Sequence, residues 1–268
     1  MNRHFDTHRP VVMGTSWMIT ADHPLAAQAG ASVLEAGGNA VDAAVAANMV
    51  MTTVRPHMCG IGGDLFMLIH RGSDGTFEAL NATGRAPAGA TIEAYRGLGH
   101  STIPKTGILT SIVPGAIMGW QAALERHGTV GFDSLMARAL PYAEQGFPVY
   151  GELRRALQER KEILLASGPA AGIFLPGGAI PETGRRMVQP ALAGSYRMLM
   201  EKGPDAFYRG PLGEALVRYS RSLGGFFDEE DLAQYSVSWE EPLTVDYRGY
   251  TLATQPPNSQ GTALLIQP

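Results

Sequence analysis

The sequence predicts a mixed α/β (α+β) domain with strands near both ends and a helical region in the middle. Three observations carry this. Two helices meet at Gly37-Gly38-Asn39 and lead through Gly60-Ile61-Gly62-Gly63 into the apolar run Leu65 to Ile69. From Pro114 onward, apolar residues recur at helical spacing. Past residue 240 the chain returns to two short β-rich runs flanking Arg248-Gly249.

Taken in order, Val11 to Thr20 reads as a strand, weakened by Gly14. Pro24 suits the first position of a helix that runs to Ala36, with Asp22 or His23 before it. Gly37 and Gly38 supply the left-handed residue that stops this helix, and Asn39 can accept hydrogen bonds from the freed amides of the next. That second helix is nearly all Ala and Val through Asn48. It is expected to bury almost every face, Ala44 included, until Pro56 stops it. Leu65 to Ile69 reads as a buried strand, the first arm of a hairpin that turns at Gly72-Ser73-Asp74-Gly75 and returns over Thr76 to Leu80. Asn81 to Ala90 then leaves the sheet.

Pro114 to His127 is expected to form one helix, and Phe132, Leu135, Met136 and Leu140 mark another. Further stripes are Leu153-Leu157-Leu164, Leu192-Tyr196-Leu199 and Leu212-Leu216-Tyr219-Leu223. Gly168 to Arg186, with Pro176, Pro181 and Gly184, reads as an irregular surface segment. Leu243 to Tyr247 and Tyr250 to Ala253 form a hairpin around Arg248-Gly249. Ser259 is placed to cap a helix from Gly261 to Gln267, cut short at Pro268, so residues 1–268 read as the N-terminal portion of a longer domain.

A hydrophobic fraction of 45%, a charged fraction of 17% and a net charge of −4 with interspersed signs point to a globular protein, with no basis for nucleic-acid or anionic-membrane binding. The single cysteine, Cys59, excludes an internal disulfide and reads as a small buried hydrophobe. Met1 to Pro10 lacks the apolar stretch of a signal peptide, and no apolar run reaches the ~18 residues of a membrane helix, so the expected location is cytoplasmic. There is no zinc motif, nucleophile elbow, Walker loop or cysteine pair. The Gly60-to-Gly63 cluster follows a helix and precedes a strand, the reverse of a phosphate loop, so it reads as a packing feature, with a nucleotide-binding α/β protein as a rival. Among the histidines only His57 lies in a backbone context suited to a site, either as a substrate-binding side chain or as a structural cap on the glycine turn.

The run from His23-Pro24-Leu25-Ala26 through Gly37-Gly38-Asn39-Ala40-Val41-Asp42-Ala43-Ala44-Val45-Ala46 to Gly60-Ile61-Gly62-Gly63-Asp64 resembles the γ-glutamyltransferase family of N-terminal-nucleophile hydrolases. Val113-Pro114-Gly115-Ala116, Gly146-Phe147-Pro148-Val149, Gly203-Pro204-Asp205-Ala206-Phe207-Tyr208, Glu230-Asp231-Leu232, Tyr247-Arg248-Gly249-Tyr250 and Pro256-Pro257-Asn258-Ser259 continue the likeness in the family's order. The resemblance implies part of a four-layer αββα sandwich and a precursor that cuts itself to free a threonine. That threonine attacks an amide, forms an acyl-enzyme and passes the acyl group to water or an amine. It also implies no metal or organic cofactor. The nucleophile would lie beyond these 268 residues, so no catalytic residue is expected within them. The partner would be the C-terminal small subunit of the same precursor.

One family contact should fall inside the chain. Where γ-glutamyl-transferring members carry an arginine that grips the substrate's α-carboxylate, in an Asp-Phe-Arg-Glu-x-Ala-Pro-like segment, this sequence reads Asn81-Ala82-Thr83-Gly84-Arg85-Ala86-Pro87. Thr83 holds the arginine position. Arg85 either replaces the missing guanidinium or pairs with a surface carboxylate. The Gly-Arg-Ala-Pro form is closer to a cephalosporin-acylase-like or oxamate-amidohydrolase-like branch. It weighs against glutathione as substrate, leaving a γ-glutamyl, glutaryl or oxamate-like amide as the substrate class. The alternative is a catalytically inert fragment, or a non-enzymatic subunit that needs a partner chain.

Overall fold

The computed structural model describes residues 11–261. Helix α1 (Pro24–Glu35) begins where Pro24 sets the backbone angle and His23 Nδ1 accepts from the Leu25 amide at 3.2 Å, so His23 rather than Asp22 is the cap. Gly37, at φ 92°, ends the turn after it. Helix α2 (Ala40–Val54) opens with a capping box. Asn39 Oδ1 accepts from the Val41 and Asp42 amides, and Asp42 Oδ2 accepts from the Asn39 amide at 2.8 Å. Val45, Ala46, Met49, Val50 and Val54 are fully enclosed. Ala44 is not: with Ala40 it faces a groove of about 670 Å³ between the two helices and the extended residues 16–22. The predicted strand at Val11 to Thr20 does not form. A strand needs a ladder partner, and among the described residues none lies beside this segment, whose Val11, Val12 and Met13 are exposed.

Strands β1 (Leu65–Arg71) and β2 (Thr76–Ala82) make the predicted hairpin, and a later strand, β5 (Ser238–Glu240), pairs with β2 in the order β1-β2-β5. The register puts Leu65, Met67 and Ile69 opposite Ala82, Leu80 and Glu78 on one face, and Phe66, Leu68 and His70 opposite Asn81, Ala79 and Phe77 on the other. The first face is covered; on the second Ala79 is buried but the larger apolar side chains are open. Phe66, Leu68 and Phe77 are 39–45% exposed, so the apolar run is not the wholly buried strand it resembled; its alternate residues serve two faces. Strands β6 (Leu243–Tyr247) and β7 (Tyr250–Thr254) form the second hairpin, with Arg248 at φ 52° and Gly249 at φ 84°, the pair of left-handed residues a two-residue turn requires.

Helix α3 (Ile92–Gly97) is short and wholly surface-lying. Helix α4 (Ala116–His127) lies on the covered face of the sheet and buries Trp120, whose indole Nε1 donates to Asn48 Oδ1 at 2.8 Å. Helices α5 (Phe132–Met136) and α6 (Leu140–Glu144) divide the second predicted stripe. The third stripe splits at Arg160 into α7 (Gly151–Glu159) and α8 (Lys161–Ala166). The expected irregular segment holds α9 (Gly168–Phe174), and a short pair, β3 (Phe147–Pro148) with β4 (Arg186–Met187), closes it.

Helix α10 (Pro190–Lys202) packs Tyr196 against α2, where its hydroxyl meets Thr52 Oγ1 and Thr53 Oγ1 at 2.7 and 2.8 Å. Helix α11 (Asp205–Tyr208) precedes α12 (Pro211–Ser222), which buries Gly213, Val217 and Ser220. The predicted stripe on α12 holds only in its first half, for Tyr219 and Leu223 are exposed. Helix α13 (Glu229–Ala233) completes the order. Ser259 Oγ accepts from the Gly261 amide at 3.2 Å, as a cap would, while the helix expected to follow lies outside the described residues. No helix among the described residues is long and apolar enough to cross a membrane.

Candidate functional site

The candidate site is the segment leaving β2. Its backbone runs in close contact with the start of α4: a Cβ on Gly84 would lie 1.8 Å from the Val113 carbonyl oxygen, and one on Gly115 would lie 1.9 Å from that of Ala82. Only glycine fits at either place. The Gly63 carbonyl accepts the Gly115 and Ala116 amides, both at 2.9 Å, so the glycine turn docks a helix N-terminus instead of cradling a phosphate.

Residues 83–88 are then latched to α13 and the turn after it. Ala88 N donates to Asp231 Oδ1 at 2.7 Å, Arg85 Nη2 to the Gln234 carbonyl at 2.8 Å, and the Tyr235 hydroxyl to the Thr83 carbonyl at 3.1 Å. Gly84 N donates to Asp64 Oδ1 at 3.0 Å. Tyr235 stacks on Tyr208 with 5.6 Å between ring centroids. Burial, reinforced by the Asp64 charge and opposed by Arg85, pushes the Tyr235 phenol up to about 12, so it remains a donor.

Thr83 belongs to a closed ring of three side chains. Its Oγ1 donates to Asn81 Oδ1 at 2.8 Å, Asn81 Nδ2 donates to Asn258 Oδ1 at 3.0 Å, and Asn258 Nδ2 donates to Thr83 Oγ1 at 2.6 Å. Asn81 Nδ2 lies 3.3 Å from Glu240 Oε1 on β5 as well. Gln255 anchors the chain that delivers Asn258: its Nε2 donates to the Met67 and Leu80 carbonyls at 2.7 and 3.2 Å. Asn81 shares its sheet face with Phe66 and Leu68, so the ring sits at the edge of the uncovered face. Among the described residues Arg85 neither pairs with a carboxylate nor reaches this ring; its one side-chain hydrogen bond there goes to a backbone carbonyl.

His57 lies elsewhere, and none of its contacts is shared with Thr83 or Arg85. It follows Arg55, the C-cap of α2, whose guanidinium bonds Glu152 Oε1 at 3.0 Å and the Asp22 carbonyl at 3.2 Å. The His57 ring sits 3.9 Å from Glu152 Oε1 and beside Tyr150. Burial, then the Arg55 charge, lowers its pKa against the opposing pull of Glu152 and Asp22, which favours the neutral ring. Cys59 is half-buried, and burial raises its thiol pKa, an environment that disfavours the thiolate a nucleophile needs. No group of three or more potential metal ligands occurs among the described residues.

The sequence singles out Thr83 and Arg85 as candidates; Asn81, Asn258, Asp231 and Tyr235, which the structure places against this segment, it does not assign. The Pro256-Pro257-Asn258-Ser259 and Glu230-Asp231-Leu232 motifs were visible signals, but nothing in one dimension joins them to residues 81–88.

Helices packed on a sheet in this order form a mixed helix-and-sheet fold, and solved N-terminal-nucleophile hydrolase structures share it. A gamma-glutamyltranspeptidase from Helicobacter pylori superposes with a TM-score of 0.90 at 32% identity, over 96% of this chain and 74% of that one. A cephalosporin acylase from Bacillus halodurans gives 0.85 at 33% identity, over 96% of this chain and 50% of the other. The chain belongs to the gamma-glutamyltranspeptidase family, whose profile matches residues 26–267. Curated relatives include a glutathione hydrolase-like proenzyme, YwrD, of Bacillus subtilis, 38% identical over 95% of this chain and 48% of its own length. Another is an acylase proenzyme, ACY 1, of Pseudomonas sp. strain SE83, 36% identical over 98% of this chain and 49% of its own length. The chain thus spans about half the length of the curated relatives it matches.

Proposed function

We propose that residues 1–268 are a portion of the N-terminal, large-subunit region of a self-cleaving amide hydrolase or acyl transferase. The proposed partner is the C-terminal small subunit of the same precursor, which brings the nucleophilic threonine to the uncovered face of the β1-β2-β5 sheet. The observation that supports this most directly is the match of nearly the whole chain to about half of several proenzymes. Reaction would proceed through an acyl-enzyme: the threonine oxygen bonds to the amide carbonyl carbon, the amine leaves with a proton, and water or a second amine takes the acyl group.

The substrate proposed is a small amide whose acyl group lacks an α-amino-carboxylate. Thr83 supplies no charge where a family arginine would stand, Arg85 is turned to the Gln234 carbonyl, and a carboxylate desolvated without a charged partner is disfavoured. The test uses the full-length precursor. Self-cleavage into two chains, with turnover of acyl p-nitroanilides that disappears when the new N-terminal threonine is replaced by alanine, is expected. An intact, inactive full-length chain would contradict the proposal.

A further inference from the structure

The ring of Asn81, Thr83 and Asn258 has a definite remaining hydrogen-bonding capacity. Within it each member donates once and accepts once. The second Asn81 N–H is directed to Glu240, and the Asn81 oxygen also accepts the Thr83 amide at 3.1 Å. On the exposed side there remain one N–H of Asn258 and lone pairs on Asn258 Oδ1 and Thr83 Oγ1. That surface offers one donor and two acceptors, carries no positive charge, and has the Glu240 carboxylate behind it.

We infer that this ring is the recognition surface for the far end of the acyl group, and that the end it takes is a neutral group able both to donate and to accept, a primary carboxamide. The inference rests on the proposed function above, which places substrate at Thr83. A carboxamide oxygen would accept from Asn258 Nδ2 while its NH₂ donates to the free lone pairs, so every polar atom is matched. A carboxylate of the same shape has acceptors only. It would set lone pairs against lone pairs and bring a second negative charge toward Glu240, so it is excluded by mismatch as well as by the lack of a cation. Asn258 is therefore a specificity-determining residue, held in place by the Gln255 bonds to β1 and β2.

The experiment compares four p-nitroanilides with the full-length, self-cleaved protein: 4-carbamoylbutanoyl, glutaryl, γ-glutamyl and hexanoyl. The carbamoylbutanoyl compound is expected to exceed the glutaryl and γ-glutamyl compounds in kcat/KM by about tenfold or more. Asn258→Ala and, separately, the near-isosteric Thr83→Val should erase that ratio by lowering kcat/KM for the carbamoylbutanoyl compound more than for the other three. Folding damage would lower all four substrates together and leave the ratio intact. A wild-type preference for glutaryl or γ-glutamyl, or variants that keep the wild-type ratio, would overturn the inference while leaving amide hydrolysis standing. Turnover of none of the four by full-length protein would overturn the proposed function and this inference with it.

Discussion

The surroundings of α2 and the outer face of the β1-β2-β5 sheet are built to opposite standards. Within α2 the buried polar side chains Asp42, Thr52 and Thr53 are all hydrogen-bonded. Asp42, fully enclosed, accepts from the Asn39, Thr129 and Val130 amides and from the Thr129 hydroxyl. Across the molecule, Phe66, Leu68 and Phe77 lie open on the sheet, and Leu243, Val245, Tyr250 and Leu252 lie open on the β6–β7 hairpin. A hydrophobic surface of that extent marks an interaction face. The contrast fits the proposed small-subunit partner: one region completes its own core while the other leaves apolar side chains open, and the candidate substrate ring stands on the boundary.

The largest effect should come from breaking the closed region. Asp42→Ala strands four donors near the start of α2 and should cost about 3–5 kcal/mol in denaturant unfolding of the full-length protein. Desolvation pushes the Asp42 pKa up, but the Thr129 hydroxyl and the three amides outweigh it and hold the pKa below its ordinary 3.8. Its contribution is therefore present above about pH 3.8 and lost as pH falls through the lower folded value, an acid dependence the variant should lack.

A comparison within one helix sharpens the point. Ala46→Leu overpacks an enclosed position and should cost about 1–3 kcal/mol. Ala44→Leu, on the groove side, should stay within about 0.5 kcal/mol. Equal losses in the full-length protein would mean that another segment fills the groove beside Ala44.

A smaller effect concerns His57. Its folded pKa lies below 6.5, so the unfolded chain binds the proton more readily, and the His57 contribution is complete above about pH 6.5 and declines below it. His57→Gln should flatten the fall in Tm between about pH 6.5 and pH 5, measured by thermal melts. His23, lowered mainly by burial and then by Arg55, has the same sign and should retain its own share of that slope. Tyr235→Phe removes the hydroxyl that holds the Thr83 carbonyl and should cost about 0.5–1.5 kcal/mol.

What the sequence made legible follows from which forces are local. The Asn39 cap, the Pro24 start and the Arg248-Gly249 turn depend on a few adjacent residues, and each appears where expected. The Val11-to-Thr20 strand was misread because strand formation depends on a neighbour that no local pattern supplies. The α12 stripe holds only in its first half: Leu212 and Leu216 pack against the core, but Tyr219 and Leu223 are exposed because the small residues Gly213 and Ser220 bring the adjacent face into close approach. Thr83 was legible by alignment to a motif. Its partner Asn258, 175 positions away, became visible only when the Gln255 anchor brought the two together.

Amide hydrogen exchange of the 268-residue chain, at low concentration, against the same residues within the full-length protein tests the contrast most directly. Protection of α2, α4 and α10 should be alike in both samples. Amides of β1 and of the β6–β7 hairpin should exchange rapidly in the shorter chain and become protected in the full-length protein. Equal protection of those strands in both samples would contradict the claim that this face is built to be covered.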